Sequence, residues 1–263
     1  MNIITSFLTQ NDCYKKNVWI KPSGIMLHSV GCSQPSAEVF VKRWNQPDLK
    51  KCVHGFIEND GDVYITLPCL EENRKAIRSW HCADDANSTH LSFEMTEPST
   101  IKYNGNQWTD LNPAKTKEFV LGTYNTAVDL FAYLCEFYGF DPLKDGVILS
   151  HSEGAKRGIA SNHGDVEHIW KAFGLTMNQF RQDVYDRMED NDMTQEKFNE
   201  MMNNYLIDLA KQPPGDWSAE ARNFCEGNGL IAGDEKGNKM YKKFCTREEF
   251  AALIYRFYNM LEK

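Results

Sequence analysis

Up to Trp170 the chain alternates between strand-like and helix-like spacing of its apolar residues; beyond it only the helical spacing persists. "GIMLH" (24–28) is a continuous apolar run ending on a histidine, with Gly31 and Pro35 soon after, which predicts a short buried strand running into a loop. A helix is expected over Ala37–Trp44. "CVHGFIENDGDVYITL" sets two β-rich runs either side of Asp60-Gly61, a pair suited to a tight hairpin turn. "THLSFEM" alternates with period two: His90, Ser92 and Glu94 share one face, and Leu91, Phe93 and Met95 the other. A polar strand face needs a reason to be polar. Val128, Phe131, Leu134, Cys135 and Tyr138 recur at helical spacing, predicting a helix over Thr126–Tyr138 with Gly139 as its left-handed cap. "GVILSH" is a second buried run ending on a histidine, so His28 and His151 are expected at the same edge of one sheet. Strands separated by helices imply an α/β fold with a mixed central β-sheet flanked by helices.

The later segments predict a different organisation. "TQEKFNEMMNNYLIDLAK" carries Phe198, Met201, Met202, Tyr205, Leu206 and Leu209 on one helical stripe, and "QPPGDW" after it is a linker signal. The expected division is a catalytic domain over 1–175, a helical linker over 176–214 with the boundary near Pro213, and a small C-terminal helical module over 215–263. Within that module one helix spans Ser218–Asn228, closed by Gly229. Another spans Thr246–Leu261, opened by a capping box of Thr246 and Glu249.

Composition narrows the class. With 41% hydrophobic and 25% charged residues over 263 positions, a packed globular chain is expected rather than a disordered one. A net charge of -8 and the lack of any dense Lys/Arg cluster argue against nucleic acid as a partner. The first residues, "MNIITSFLTQNDCYKK", lack a basic leader and have a broken apolar run, so neither a secretory signal nor a membrane span is expected, and synthesis in the cytoplasm is. Eight cysteines without a C-x-x-C pair indicate buried free thiols rather than a zinc ribbon.

The stretch "LSHSEGAKRGIASNHGDVEHIW" (149–170) concentrates three histidines with acidic residues. Catalytic zinc commonly takes three protein ligands and leaves a fourth position open, a requirement that His28, His151 and an acidic group near 165 would meet. A thiol hydrolase built on Cys82 and His81 is disfavoured, because neighbouring residues on a strand point to opposite faces.

"GIMLHS", "VHGFIENDGDVY", "SWHCADDANSTHLSFEM" and "VILSHSEGAKRGIASNHGDVEHIW" resemble, in the same order, the blocks of type-2 N-acetylmuramoyl-L-alanine amidases, a group that contains phage endolysins and peptidoglycan recognition proteins. The resemblance covers roughly residues 20–175 and implies the type-2 amidase fold and a Zn2+-dependent hydrolase of peptidoglycan, cutting between the lactyl group of muramic acid and the L-alanine of the stem peptide. It implies His28, His151 and Asp165 as metal ligands and Glu94 as the acidic residue acting on water. His163 falls where many members carry an oxyanion-stabilising lysine. His81 falls near the substrate cleft, and Arg157 is expected to contact the stem peptide. Val53 stands where several relatives have a tyrosine, and the gap from His151 to Asp165 is longer than in many members, which keeps His163 and His168 open as alternatives for the third ligand. A peptidoglycan-recognition protein without activity is the rival on the same fold; the complete set of ligands with Glu94 argues against it. Missing a leader, the chain fits a phage or prophage enzyme of a Gram-positive host that reaches the wall on lysis.

The C-terminal stretch resembles a single S-layer-homology module through Trp217, the "GLI-G" turn and "TRE" at 246–248. Trp217 and Arg247 are its candidate contact residues. Binding of a secondary cell-wall polymer and self-association, as in a homodimer, both stand open.

Overall fold

The computed structural model describes residues 1–105, 107–191 and 195–262. It divides into two compact units, Met1–Asp192 and Met193–Lys263. The strands of the first unit are β1 (Asn2–Thr5), β2 (Trp19–Ile20), β3 (Gly24–Ser29), β4 (Gly55–Ile57), β5 (Asp62–Ile65), β6 (Ala76–Ile77), β7 (His90–Met95), β8 (Ile101–Asn104), β9 (Gln107–Asp110) and β10 (Ile148–Ser150). Its helices are α1 (Asp12–Lys16), α2 (Ala37–Trp44), α3 (Pro113–Tyr138), α4 (His151–Lys156), α5 (Glu167–Trp170) and α6 (Met177–Asn191). Six strands form a mixed sheet in the order β1-β5-β4-β7-β3-β10, in which only the β4–β5 pairing is antiparallel. This is the mixed α/β architecture expected from the alternating segments.

The period-two pattern of β7 sorts its side chains between two cores. Leu91, Phe93 and Met95 join Ile25 and Leu27 of β3 in the larger apolar cluster, with Phe131 and Leu134 of α3. On the opposite face Ser92 meets His54: the Ser92 N–H donates to His54 Nδ1 at 2.9 Å, and the Ser92 hydroxyl lies 3.0 Å from the Ser79 hydroxyl. The polar face is therefore a satisfied buried network that runs up to Glu94.

Three local expectations are revised. The hairpin loop is longer than a two-residue turn: Glu58 N–H donates to Asp62 O at 2.9 Å, and within the loop it is Gly61, at φ 98°, that takes a positive backbone angle. Helix α3 starts at Pro113 rather than near Thr126, because the Asn112 side chain caps the Lys115 N–H and Pro113 sits in the first turn; it ends as expected on Gly139 at φ 74°. The first unit also continues past residue 175. Met177, Phe180, Val184 and Met188 form a helical stripe, and Phe180 and Val184 are fully buried, the Phe180 ring lying 5.1 Å from that of Phe131 and 5.4 Å from that of Trp170. The segment 177–191 is thus part of the first unit's core rather than of a linker.

The second unit holds α7 (Gln195–Lys211), α8 (Ala219–Gly227) and α9 (Arg247–Leu261). The predicted first residue of its leading helix, Thr194, lies outside the described residues. Thr246 and Glu249 form the expected capping box, with Thr246 N–H donating to Glu249 Oε2 at 2.8 Å. Among its described residues only Leu230 is buried. No helix among the described residues is long and apolar enough to cross a membrane.

Candidate metal centre and active site

Register across the parallel strands builds the site. His28 on β3 pairs with Glu94 on β7, and Ser150 on β10 pairs with Leu27, so the next residue, His151, comes level with His28. His151 is the first residue of α4 rather than the last of the strand. Both histidines are buried, at 1% and 2% exposure, and Asp165 from the following loop joins them. His28 Nδ1 lies 3.0 Å from His151 Nδ1 and 3.3 Å from Asp165 Oδ2, which is 3.5 Å from His151 Nδ1.

These separations decide what the trio can hold. A tetrahedral ion with bonds of about 2.0–2.1 Å spaces its ligand atoms about 3.3 Å apart. Two imidazole nitrogens and a carboxylate oxygen at such spacing present lone pairs to one point, which is costly unless a cation or shared protons occupy it. The remaining nitrogens are engaged as metal-ligating histidines require: His28 Nε2 is 2.8 Å from His81 Nδ1, and His151 Nε2 is 3.1 Å from Ser161 Oγ. Burial lowers the His28 pKa, favouring the neutral ring a metal needs, against the pull of Asp165. Burial alone would raise the Asp165 carboxyl, but its hydrogen bonds to His151 and His28 outweigh that and hold it well below the usual carboxylate range. The donor set fits a zinc ion.

The trio lies on the wall of a cavity of about 660 Å³ that Glu94, His81, His163 and Val53 also line. Burial, followed by the charges of Asp165 and Glu97, pushes the Glu94 carboxyl well above its ordinary value, and its Oε2 is buried without a hydrogen-bond partner. His163 is exposed, with its ring centroid 4.6 Å from that of His151. His168 also lines the cavity, but its Nε2 is 2.8 Å from the Tyr103 hydroxyl and 3.5 Å from Glu97. Among the described residues, the group that could hold a metal ion is His28, His151 and Asp165, and it includes neither His163 nor His168.

Two expected substrate contacts look different in three dimensions. His81 lines the cavity but stands behind His28 as its hydrogen-bond partner. Arg157 is not part of the cavity lining; its guanidinium is engaged by the Asp145 carboxylate, one nitrogen at 3.1 Å. The Cys82 thiol is buried against Asn87 and the Asp84 and Ile159 carbonyls, and burial raises its pKa, which leaves it unsuited as a nucleophile. Tyr103, Trp80 and Lys51 also line the cavity and were not anticipated. Their spacing carries no periodic signal, since they arrive from separate loops and from the β8–β9 hairpin.

The N-acetylmuramoyl-L-alanine amidase family model matches residues 19–166, more than half of the chain. The chain belongs to that family. The trio of His28, His151 and Asp165 falls inside the matched segment, whereas α6 and the second unit lie outside it. The fold is shared with hydrolase AmiA of Staphylococcus aureus, solved in complex with its ligand, at 16% identity and a TM-score of 0.52 over 72% of this chain and 83% of that one. A mutant of PlyL aligns at 17% identity and a TM-score of 0.50 over 70% of this chain and 99% of that one. No curated protein matches the chain.

Proposed function

We propose that this amidase is zinc-dependent and hydrolyses the amide between the lactyl group of muramic acid and the L-alanine of the peptidoglycan stem. The observation that carries the metal half of this reading is the convergence of His28 Nδ1, His151 Nδ1 and Asp165 Oδ2 within 4.8 Å of one another on a cavity wall. When bound, zinc supplies Lewis acidity toward the amide carbonyl and acidifies water. The chain's own groups supply the proton traffic. Glu94, with an unpartnered oxygen and a raised pKa, takes the proton of the attacking water and delivers it to the departing amine nitrogen. His163, exposed beside His151, donates a hydrogen bond to the oxygen on which charge develops. His81 holds the His28 ring through Nε2 and so fixes which nitrogen faces the centre.

Purified walls digested by the protein should yield new L-alanine amino termini with intact muramic acid, read by mass spectrometry. New reducing sugar ends, or termini within the stem peptide, would overturn the bond assignment.

For the second unit, the S-layer-homology resemblance and an exposed Trp217, at 90%, support an attachment role on wall polymer, with Arg247, the first residue of α9, as the cationic contact. Self-association is favoured by a separate observation: Phe250, Ile254, Tyr255, Phe257, Tyr258 and Leu261 of α9 are 40% to 67% exposed, an apolar surface of the kind that marks an interface. Sedimentation of the full chain separates the two. A monomer that co-pellets with walls supports the polymer contact alone, and an oligomer dispersed by Tyr255→Ser supports association.

A further inference from the structure

We infer that Arg181, on α6 and beyond the family's matched segment, is a positioning residue for the metal centre. The inference rests on the metal reading given above. The Arg181 guanidinium grips Glu153 with both nitrogens, Nη1 to Oε2 at 2.9 Å and Nη2 to Oε1 at 3.0 Å, and Nη1 also donates to the Ile148 carbonyl at 2.9 Å. Neither partner is incidental to the site. Ile148 opens β10, and Glu153 is the closing member of the capping box that starts α4: Ser150 N–H donates to Glu153 Oε2 at 3.1 Å and Glu153 N–H to Ser150 Oγ at 3.2 Å. His151 lies between those two capping residues.

The same short turn is tied to the third ligand. Ser150 Oγ donates to Glu167 Oε1 at 2.8 Å, and Ser152 N–H donates to the Asp165 carbonyl at 3.1 Å. Helix α4 is six residues long and cannot hold its own geometry in water. Its orientation, and with it that of the His151 ring, is set by what grips its first turn. Arg181 supplies a two-pronged, charge-assisted grip from a helix that is itself anchored in the core by Phe180 and Val184. At 17% and 24% side-chain exposure the pair is screened far less than a surface ion pair. Because arginine's planar geometry matches both carboxylate oxygens and the Ile148 carbonyl at once, lysine can replace only part of it.

The test is zinc affinity of the full chain, measured by competition with a chromophoric chelator at a temperature well below unfolding. Arg181→Ala should bind zinc about tenfold more weakly than the parent, at the low end of the loss seen when groups behind a metal's ligands are removed. Arg181→Lys should fall between the two. Glu153→Gln combined with Arg181→Ala should lose no more than the weaker-binding single variant, since both act through one contact. Tyr124→Phe is the matched control: it removes another polar tie between α3 and α6, the Tyr124 hydroxyl to Asp183 at 2.6 Å, without touching Glu153. It should lower thermal stability and leave zinc affinity unchanged. Affinity of Arg181→Ala within about twofold of the parent, or an equal loss in Tyr124→Phe, would overturn the inference. If the parent itself fails to bind zinc, the metal reading fails instead.

Discussion

His54 makes the first unit acid-sensitive, independently of the metal centre. The ring is fully buried; its Nε2 donates to the Ile77 carbonyl at 2.9 Å, and its Nδ1 accepts from the Ser92 N–H at 2.9 Å and lies 3.0 Å from the Ser92 hydroxyl. A second proton would have to go on Nδ1, where it displaces the bond from the Ser92 N–H. Burial, only partly offset by the Ile77 hydrogen bond, lowers the pKa from 6.5 to about 3. Because the folded pKa is depressed, the unfolded chain binds the proton first; the stabilising difference is present in full above 6.5 and is lost as pH falls toward 3. Two units below the unfolded pKa, near pH 4.5, the loss is about 3 kcal/mol, a large share of a typical folding free energy. The perturbation is His54→Gln, which removes the titrating group and costs about 2–3 kcal/mol at neutral pH through a lost hydrogen bond and imperfect packing. Urea unfolding followed by tryptophan fluorescence suits the measurement, since five of the six Trp lie in the first unit. With a chelator present, protonation of the metal ligands is common to both proteins and cancels. The stability gap between parent and variant should shrink by about 3 kcal/mol from pH 7.5 to pH 4.5. A gap constant to within about 0.5 kcal/mol would refute the reasoning.

The remaining predictions concern the site and the boundary. Asp165→Ala should lose zinc by elemental analysis, whereas His163→Ala should keep it and lose about a hundredfold to a thousandfold in turnover on purified walls. Glu94→Gln should retain zinc and fold but lose nearly all turnover, because an amide accepts no proton; half the parent rate would rule Glu94 out as the base. A chain ending at residue 192 should fold and bind zinc. One ending at 175 should be strongly destabilised in thermal melts, since leaving out Phe180 and Val184 forfeits about 2–5 kcal/mol for each large core side chain.

What could be learned from the chain without coordinates follows the range of the forces involved. The apolar runs ending in His28 and His151, the alternation of β7 and the Gly139 cap are local, and each predicted element appears within a few residues of its place. The Pro113 start of α3 was equally local, written in Asn112-Pro113, but apolar periodicity alone favours the more hydrophobic half of that helix. The membership of α6 in the first unit was legible too. Its stripe of Met177, Phe180, Val184 and Met188 is helical, yet diluted by so many polar neighbours that the segment reads as linker.

Pairing between distant side chains has no such trace. Nothing in the spacing of Asp145 and Arg157 announces that they meet, and the same holds for Glu153 and Arg181, which are separated by 28 positions. This asymmetry shaped the expectations for the loop after His151. From sequence Arg157 looks available to substrate, because the partner that occupies it is invisible. In three dimensions Arg157 is occupied by Asp145 and Glu153 by Arg181, while Glu94 and the trio of His28, His151 and Asp165 face the cavity. A polar residue is therefore a sound candidate for chemistry when its surroundings leave it unsatisfied, as the Glu94 Oε2 is, rather than when its neighbours in sequence are also polar. That criterion separates Glu94 from Glu153. Glu94 keeps a buried oxygen free toward the site, whereas both oxygens of Glu153 are taken up in holding the turn that carries a ligand.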